Sequence, residues 1–258
     1  MRKPSAWLLA AGIAAYAFLY LPLLVVVAYS FNDSRLNAEW VGFTLHWYRT
    51  LAADEVMLTA AGNSLLVAAT ACVISTVLGT LAGLALHRHP RRRLLPVLVL
   101  TPIAIPEVLQ GVSLLIFFVL LNVTLGLVSI VLSHVAFCIG FVAVVVRARL
   151  QGLDESVIEA ARDLGATPWQ AFARVTLPLI APGIGAGGLL AFTLSIDDFV
   201  ITFFTAGAGT STLPLQIYSM IRIAVTPEVN AASTLLMALT LALAALAGRI
   251  APGALHGR

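Results

Sequence analysis

The sequence predicts an all-α membrane protein with six transmembrane helices, and three observations carry that prediction. The chain is 60% hydrophobic and only 10% charged, where a soluble domain carries about a quarter charged residues. Charge is missing in blocks. No Asp, Glu, Lys or Arg occurs from Pro4 to Asn32, Val56 to Leu86, Val175 to Ile196 or Val229 to Gly248, and Leu94 to Val146 holds Glu107 alone. A helix of roughly 20 apolar residues crosses the hydrocarbon core, and in lipid the backbone has to satisfy its own hydrogen bonds.

The first span covers 7–29. Arg2 and Lys3 with Ala15-Tyr16-Ala17 imitate a signal peptide, but the apolar run continues to Tyr29. That is too long for a signal core, so an uncleaved membrane helix is expected. The second span is 60–86. The run from Leu94 to Val146 holds two helices, 95–121 and 125–146, with a polar turn at Asn122-Val123-Thr124. The last two spans are 179–204 and 229–248.

An even number of spans puts both termini on one side. That side carries Arg2, Lys3, Arg88, Arg91, Arg92, Arg93, Arg147, Arg149, Arg162, Arg174, Arg249 and Arg258, leaving only Arg35, Arg49 and Arg222 opposite. Basic residues stay cytoplasmic, so both termini are expected in the cytoplasm. The run His87-Arg88-His89-Pro90-Arg91-Arg92-Arg93 reads as a topology anchor. It is short and abuts the membrane, so it offers no nucleic-acid site. Cys72 and Cys138 lie inside spans without metal-ligand spacing and read as small apolar residues. Gly183, Gly185, Gly187 and Gly188 open the fifth span, and small residues there suit close packing against a second, similar subunit.

The segment 147–178 is too long for a minimal turn. Leu153, Val157, Ala160, Ala161 and Leu164 make one stripe at helical spacing. Gly165 stops that helix. Thr167-Pro168 caps a second, which runs through Phe172 and Val175 before Leu177-Pro178 begins the next span. Two short amphipathic helices on the cytoplasmic face form a docking knob.

Glu159-Ala160-Ala161, three residues, Gly165, nine residues, Val175, one residue, Leu177-Pro178 resembles the EAA motif of ABC-importer permeases, with Val175 where the family usually has Ile. The resemblance implies a single type I permease domain over 1–258 with a coupling loop at 147–178. It implies contact with an ATP-binding subunit dimer through Glu159, Ala160, Ala161, Gly165, Leu177 and Pro178. It also implies a second permease, an extracytoplasmic substrate-binding protein, and a place in the bacterial cytoplasmic (inner) membrane. Further segments resemble the permeases of spermidine/putrescine importers: Ser30-Phe31-Asn32, Gly42-Phe43-Thr44 with Trp47-Tyr48, Leu194 to Asp198, Leu213-Pro214-Leu215 with Ile217 to Met220, and Pro227 to Ala231. The chain has no G-x-x-x-x-G-K-[ST] phosphate loop. It is therefore expected not to be an enzyme and to bind no cofactor, with ATP and Mg on the partner ATPase.

Three acids interrupt the apolar spans: Glu107, Asp197 and Asp198. A carboxylate there is costly unless it meets water or a partner, and no basic residue lies within a span. Glu107 follows Pro102 and Pro106, which disturb the helical ladder. It either lines a path or accepts from freed backbone N–H groups. Asp197 and Asp198 lie about 28 Å along a helix from Pro178, toward the outer mouth, and adjacent residues point about 100° apart. One faces the path and the other packs or caps, and Asp198 is favoured for the path. A polyamine needs carboxylates for its ammonium groups and aromatic faces beside them. Trp47 and Tyr218 suit that, although Trp47 serves equally as an interface anchor. His134 is expected to be hydrogen-bonded within the bundle. The alternatives are the same machinery with another cargo (iron, an aminophosphonate, an opine), a self-sufficient secondary carrier, and an intramembrane enzyme hinted at by Ser133-His134.

Overall fold

A computed structural model describes residues 6–34, 39–89, 91–92 and 94–250, without the side chains of Ala6 and 247–250. Of the residues used above to orient the chain, Arg2, Lys3, Arg35, Pro90, Arg93, Arg258 and the side chain of Arg249 lie outside that description. The elements are helical: α1 (Ala6–Tyr29), α2 (His46–Ala53), α3 (Glu55–Arg88), α4 (Leu94–Ala104), α5 (Glu107–Leu120), α6 (Leu127–Gln151), α7 (Glu155–Asp163), α8 (Pro168–Ala171), a π-helical turn (Phe172–Thr176), α9 (Leu177–Ile196), α10 (Val200–Thr205), α11 (Leu213–Ile221) and α12 (Pro227–Ile250). Among the described residues, Trp7–Tyr29, Glu55–Arg88, Leu127–Gln151, Pro168–Ile196 and Pro227–Leu246 are each long and apolar enough to cross a membrane. The pair α4 and α5 makes a sixth if counted as one bent span.

The chain divides into two compact units. The first comprises residues 1–58 and 216–239. In it α1 is apolar on all sides, and side chains such as Trp7, Tyr16 and Phe18 stand exposed. The polar segment after α1 is a built turn around Asn32, which is buried. The Asn32 side-chain amide donates to the Glu39 carbonyl and accepts from the Val41 N–H, and the backbones of Asn32 and Phe43 pair across the turn. Phe31 stacks on Phe43 and meets Tyr48. The buried Asn32 amide is thereby satisfied, as buried polar groups require.

The second unit comprises residues 59–215 and 240–258. Its axis is α6, which packs against α9, α4 and α10. Phe137, Cys138, Val142, Val146 and Leu150 of α6 meet Ile180, Ala191 and Ile201. Small residues let the helices touch. A Cβ on Gly187 would sit 3.2 Å from Val142, and one on Gly188 would sit 2.7 Å from Thr76 Oγ1. Gly183, Gly187 and Gly188 are thus buried against this chain's own α6 and α3, not set aside for a second subunit; Gly185 alone of the four is exposed.

Two expected spans are interrupted. The span 95–121 breaks between α4 and α5 with a bend of 110°. Proline removes a backbone donor and clashes with the preceding turn, and the second proline, Pro106, stands immediately before α5. The turn expected at Asn122 is present, with Asn122 at φ 54°. The span 179–204 stops at Ile196, and the chain restarts as α10. At its other end it begins earlier than expected, because α8 runs through the π-helical turn into α9 without a loop.

Candidate functional site

The segment between α6 and α9 is shaped by its capping chemistry. Asp154 caps α7, its carboxylate accepting from the Ser156 N–H at 3.0 Å. Hydrogen bonds from Ser156 hold the Asp154 carboxyl below the usual carboxylate range. At the other end Ala166 N–H donates to the Ala161 carbonyl and Gly165 N–H to Arg162. That is the paired closure in which the residue after the helix adopts a left-handed backbone, and Gly165 has φ +89°. Thr167 then caps α8 reciprocally with Gln170.

This geometry splits the stripe expected on α7. Leu153, Ile158 and Ala161 are half-buried, whereas Val157 and Ala160 face outward and Leu164 is 89% exposed. Trp169 on α8 is 72% exposed. Glu159 lines a cleft of about 460 Å³ with Leu84, His87, Arg88, Ile158 and Phe172. Leu177 and Pro178 sit at the start of α9, immediately after the π-helical turn.

The carboxylates occupy the two helix breaks. Glu107 is exposed in the first turn of α5. Gln110, not flagged in the sequence, satisfies the break by donating its side-chain amide to the Pro102 and Ile105 carbonyls. At the second break Asp197 ends α9 and is exposed, while Asp198 is buried. The Asp198 carboxylate accepts from the Thr202 N–H at 2.9 Å, from Thr202 Oγ1 at 3.0 Å and from the Ile201 N–H at 3.4 Å. His134 Nε2 stands 3.2 Å from it. Asp198, the acid favoured for the path from sequence, is thus buried and holds the first turn of α10, whereas Asp197 is the exposed carboxylate. Asp197 lies within electrostatic range of Glu107, so the two breaks bring two exposed acids into one neighbourhood.

His134 is buried in α6, hydrogen-bonded as expected. Its Nδ1 meets Ser195 Oγ at 2.7 Å and its Nε2 meets Thr202 Oγ1 at 3.0 Å. The order Ser195–His134–Asp198 has the chemistry of a catalytic triad, but Ser195 is 4% exposed. Ser133 bonds instead to the Ser129 carbonyl. Trp47 and Tyr218 belong to the first unit. The Trp47 indole N–H is committed to the Asn32 carbonyl at 2.8 Å, and Tyr218 is 39% exposed on α11. Among the described residues no group of three or more His, Cys, Asp or Glu could hold a metal ion.

The chain is similar to several transport permeases. It is 43% identical to the putrescine transport system permease protein PotI of Escherichia coli (strain K12), across 90% of this chain and 86% of that protein. It is 40% identical to the spermidine/putrescine transport system permease protein PotC of the same organism, across 88% and 87%. Its fold matches a chain of a bacterial ABC transporter involved in the import of the acidic polysaccharide alginate, with TM-score 0.73, 17% identity and coverage of 97% and 96%. Residues 75–258 match the family described as binding-protein-dependent transport system inner membrane component. With several apolar helices, two relatives alike over most of their length and that match, the chain belongs to the binding-protein-dependent transport system inner membrane component family.

Proposed function

We propose that this chain is a permease subunit of an ATP-driven importer of polyamines. The observation that carries the cargo is the likeness, over nearly the whole chain, to permeases of a putrescine system and a spermidine/putrescine system. The site agrees with it. Helix ends at membrane depth are tolerated where they line a cavity, and they serve there as ion sites. Asp197 stands at the C-terminal end of α9, where the helix dipole already favours a cation. Glu107 adds a second acid within reach. Successive ammonium groups of a polyamine would meet these two carboxylates, with Asp198 holding the break.

On this reading both termini are cytoplasmic, and the segment 147–178 docks on an ATPase dimer that holds ATP and Mg. Its exposed Leu164 and Trp169 supply apolar contact, and Glu159, Ala160, Ala161, Gly165, Leu177 and Pro178 form the motif that shapes it. A second permease completes the path, and an extracytoplasmic binding protein delivers cargo. ATP binding draws the docking loops together and opens the path outward, by rigid-body movement of helices.

The test is uptake of labelled putrescine and spermidine by polyamine-import-deficient cells carrying this gene and its genomic neighbours. Uptake is expected to require the chain and to fall about tenfold or more in Asp197→Asn or Glu107→Gln at unchanged protein level, the loss of one charge-assisted contact. Absent uptake with the complex intact would move the chain to another cargo of the same family.

A further inference from the structure

We infer that His134 is a positioning residue for transport: a buried pin that locks the α9–α10 break and so presents Asp197. The inference rests on the reading of Asp197 as the cargo-facing carboxylate. The break itself is short, residues 197–199 between the end of α9 at Ile196 and the start of α10 at Val200. His134 is 1% exposed and comes from neither helix but from α6. Its two ring nitrogens reach opposite flanks. Nδ1 holds Ser195, in the last turn of α9, at 2.7 Å. Nε2 meets Asp198 at 3.2 Å and Thr202, in the first turn of α10, at 3.0 Å.

A carboxylate only accepts, so Nε2 donates its N–H toward Asp198, and Nδ1, as the unprotonated nitrogen of that tautomer, accepts a hydrogen bond from the Ser195 hydroxyl. Thr202 closes the loop by donating to Asp198. Every polar group of the cluster is thereby satisfied, the condition under which a buried network rigidifies its surroundings. The surroundings here are three residues, and Asp197 is the exposed one among them.

An apolar helix could run straight through this position, with a Leu in place of the imidazole. The sequence instead sets Ser195, Asp198, Thr202 and His134 into an otherwise apolar region. Buried polar groups cost free energy relative to apolar packing of equal volume, so the cluster serves the break and not general stability.

The test uses the whole transporter in membrane vesicles, with Cys72→Ala, Cys138→Ala and Asp197→Cys, and reads modification of the new thiol by a membrane-impermeant cationic methanethiosulfonate. Adding His134→Leu is expected to slow modification about fivefold or more, because access governs thiol reactivity. His134→Gln, which keeps one donor and one acceptor, restores it. In the chain with native Asp197 and both cysteines, His134→Leu raises KM for labelled putrescine about tenfold while the maximal rate stays within about twofold, the signature of lost binding and not of lost protein. Should His134→Leu fail to accumulate, Ser195→Ala and Thr202→Val each release one flank and are expected to slow modification likewise. Unchanged modification in an intact complex would overturn the pin. Absent uptake in the unmodified transporter would instead remove the polyamine reading, and the thiol measurement would still decide the pin.

Discussion

The Gln110 side-chain amide donates to the Ile105 carbonyl at 2.8 Å, across the sharp bend between α4 and α5. The same nitrogen reaches the Pro102 carbonyl. Pro106 has no N–H to offer the Pro102 carbonyl, and one side-chain amide from the next helix serves both that carbonyl and the Ile105 carbonyl. Gln110→Leu leaves both carbonyls without this donor. Removing one partner of a buried hydrogen bond costs about 1–3 kcal/mol, and a lower melting midpoint of the purified complex is expected. Gln110→Glu, which offers no donor when ionised, should do at least as much harm.

Gly207 has no room for a side chain. A Cβ there would stand 2.0 Å from the Leu125 carbonyl oxygen, and backbone cannot step aside as a flexible side chain does. Gly207→Ala is expected to destabilise the chain by about 3 kcal/mol and to cut the amount recovered from membranes. Gly62→Ala is the control: nothing lies within 4 Å of a Cβ at that site, and melting should be unchanged or slightly raised.

Gly165→Ala puts a Cβ on a residue at φ +89°, which costs an L-residue about 1–2 kcal/mol. The paired closure after α7 would open, and Leu164 and Trp169 would lose their relative setting. Co-purification of the ATPase with the tagged chain is expected to drop in Gly165→Ala and vanish in Gly165→Asp. Full retention in both would remove the docking role from this loop.

Asp154 predicts a pH dependence confined to acid. Its carboxyl is held below the ordinary value of 3.8 by Ser156, so the folded state favours the ionised form. The stabilisation of α7 is therefore complete above that ordinary value and is lost as pH falls through the lower folded-state value. Amide protection in α7, corrected for intrinsic exchange, should be flat between neutral pH and about 5 and decline only below 3.8. Asp154→Ala should show weaker protection and no such step.

What could be read beforehand was local. Gly165, Thr167 and Pro168 carry their backbone preferences with them, and the end of α7 and the start of α8 fall where those preferences put them. Asp154 was equally legible, an acceptor two residues before the Ser156 N–H it caps, and went unflagged beside the acids that follow it. The second break was not legible. Nothing in Ser195-Ile196-Asp197-Asp198 forbids a continuing helix; the interruption depends on His134, more than 60 positions away in the case of Ser195. Periodicity likewise placed Val157 and Leu164 with Leu153 but not outward, because the buried side of α7 is decided by Leu84 and Phe172 across the cleft.

The π-helical turn between α8 and α9 makes Pro168–Ile196 one rod of 29 residues, about 43 Å long at 1.5 Å per residue. Its wide hydrogen bond runs from the Leu177 N–H to the Phe172 carbonyl, one residue further back than in the α-helical ladder. It also inserts one residue into the winding, and each residue of a helix is about 100° of rotation. The turn is therefore a crank whose angle is set by a single amino acid: deleting one residue from 172–176 would swing Trp169 about a quarter-turn around the axis and leave Asp197, at the far end, where it is.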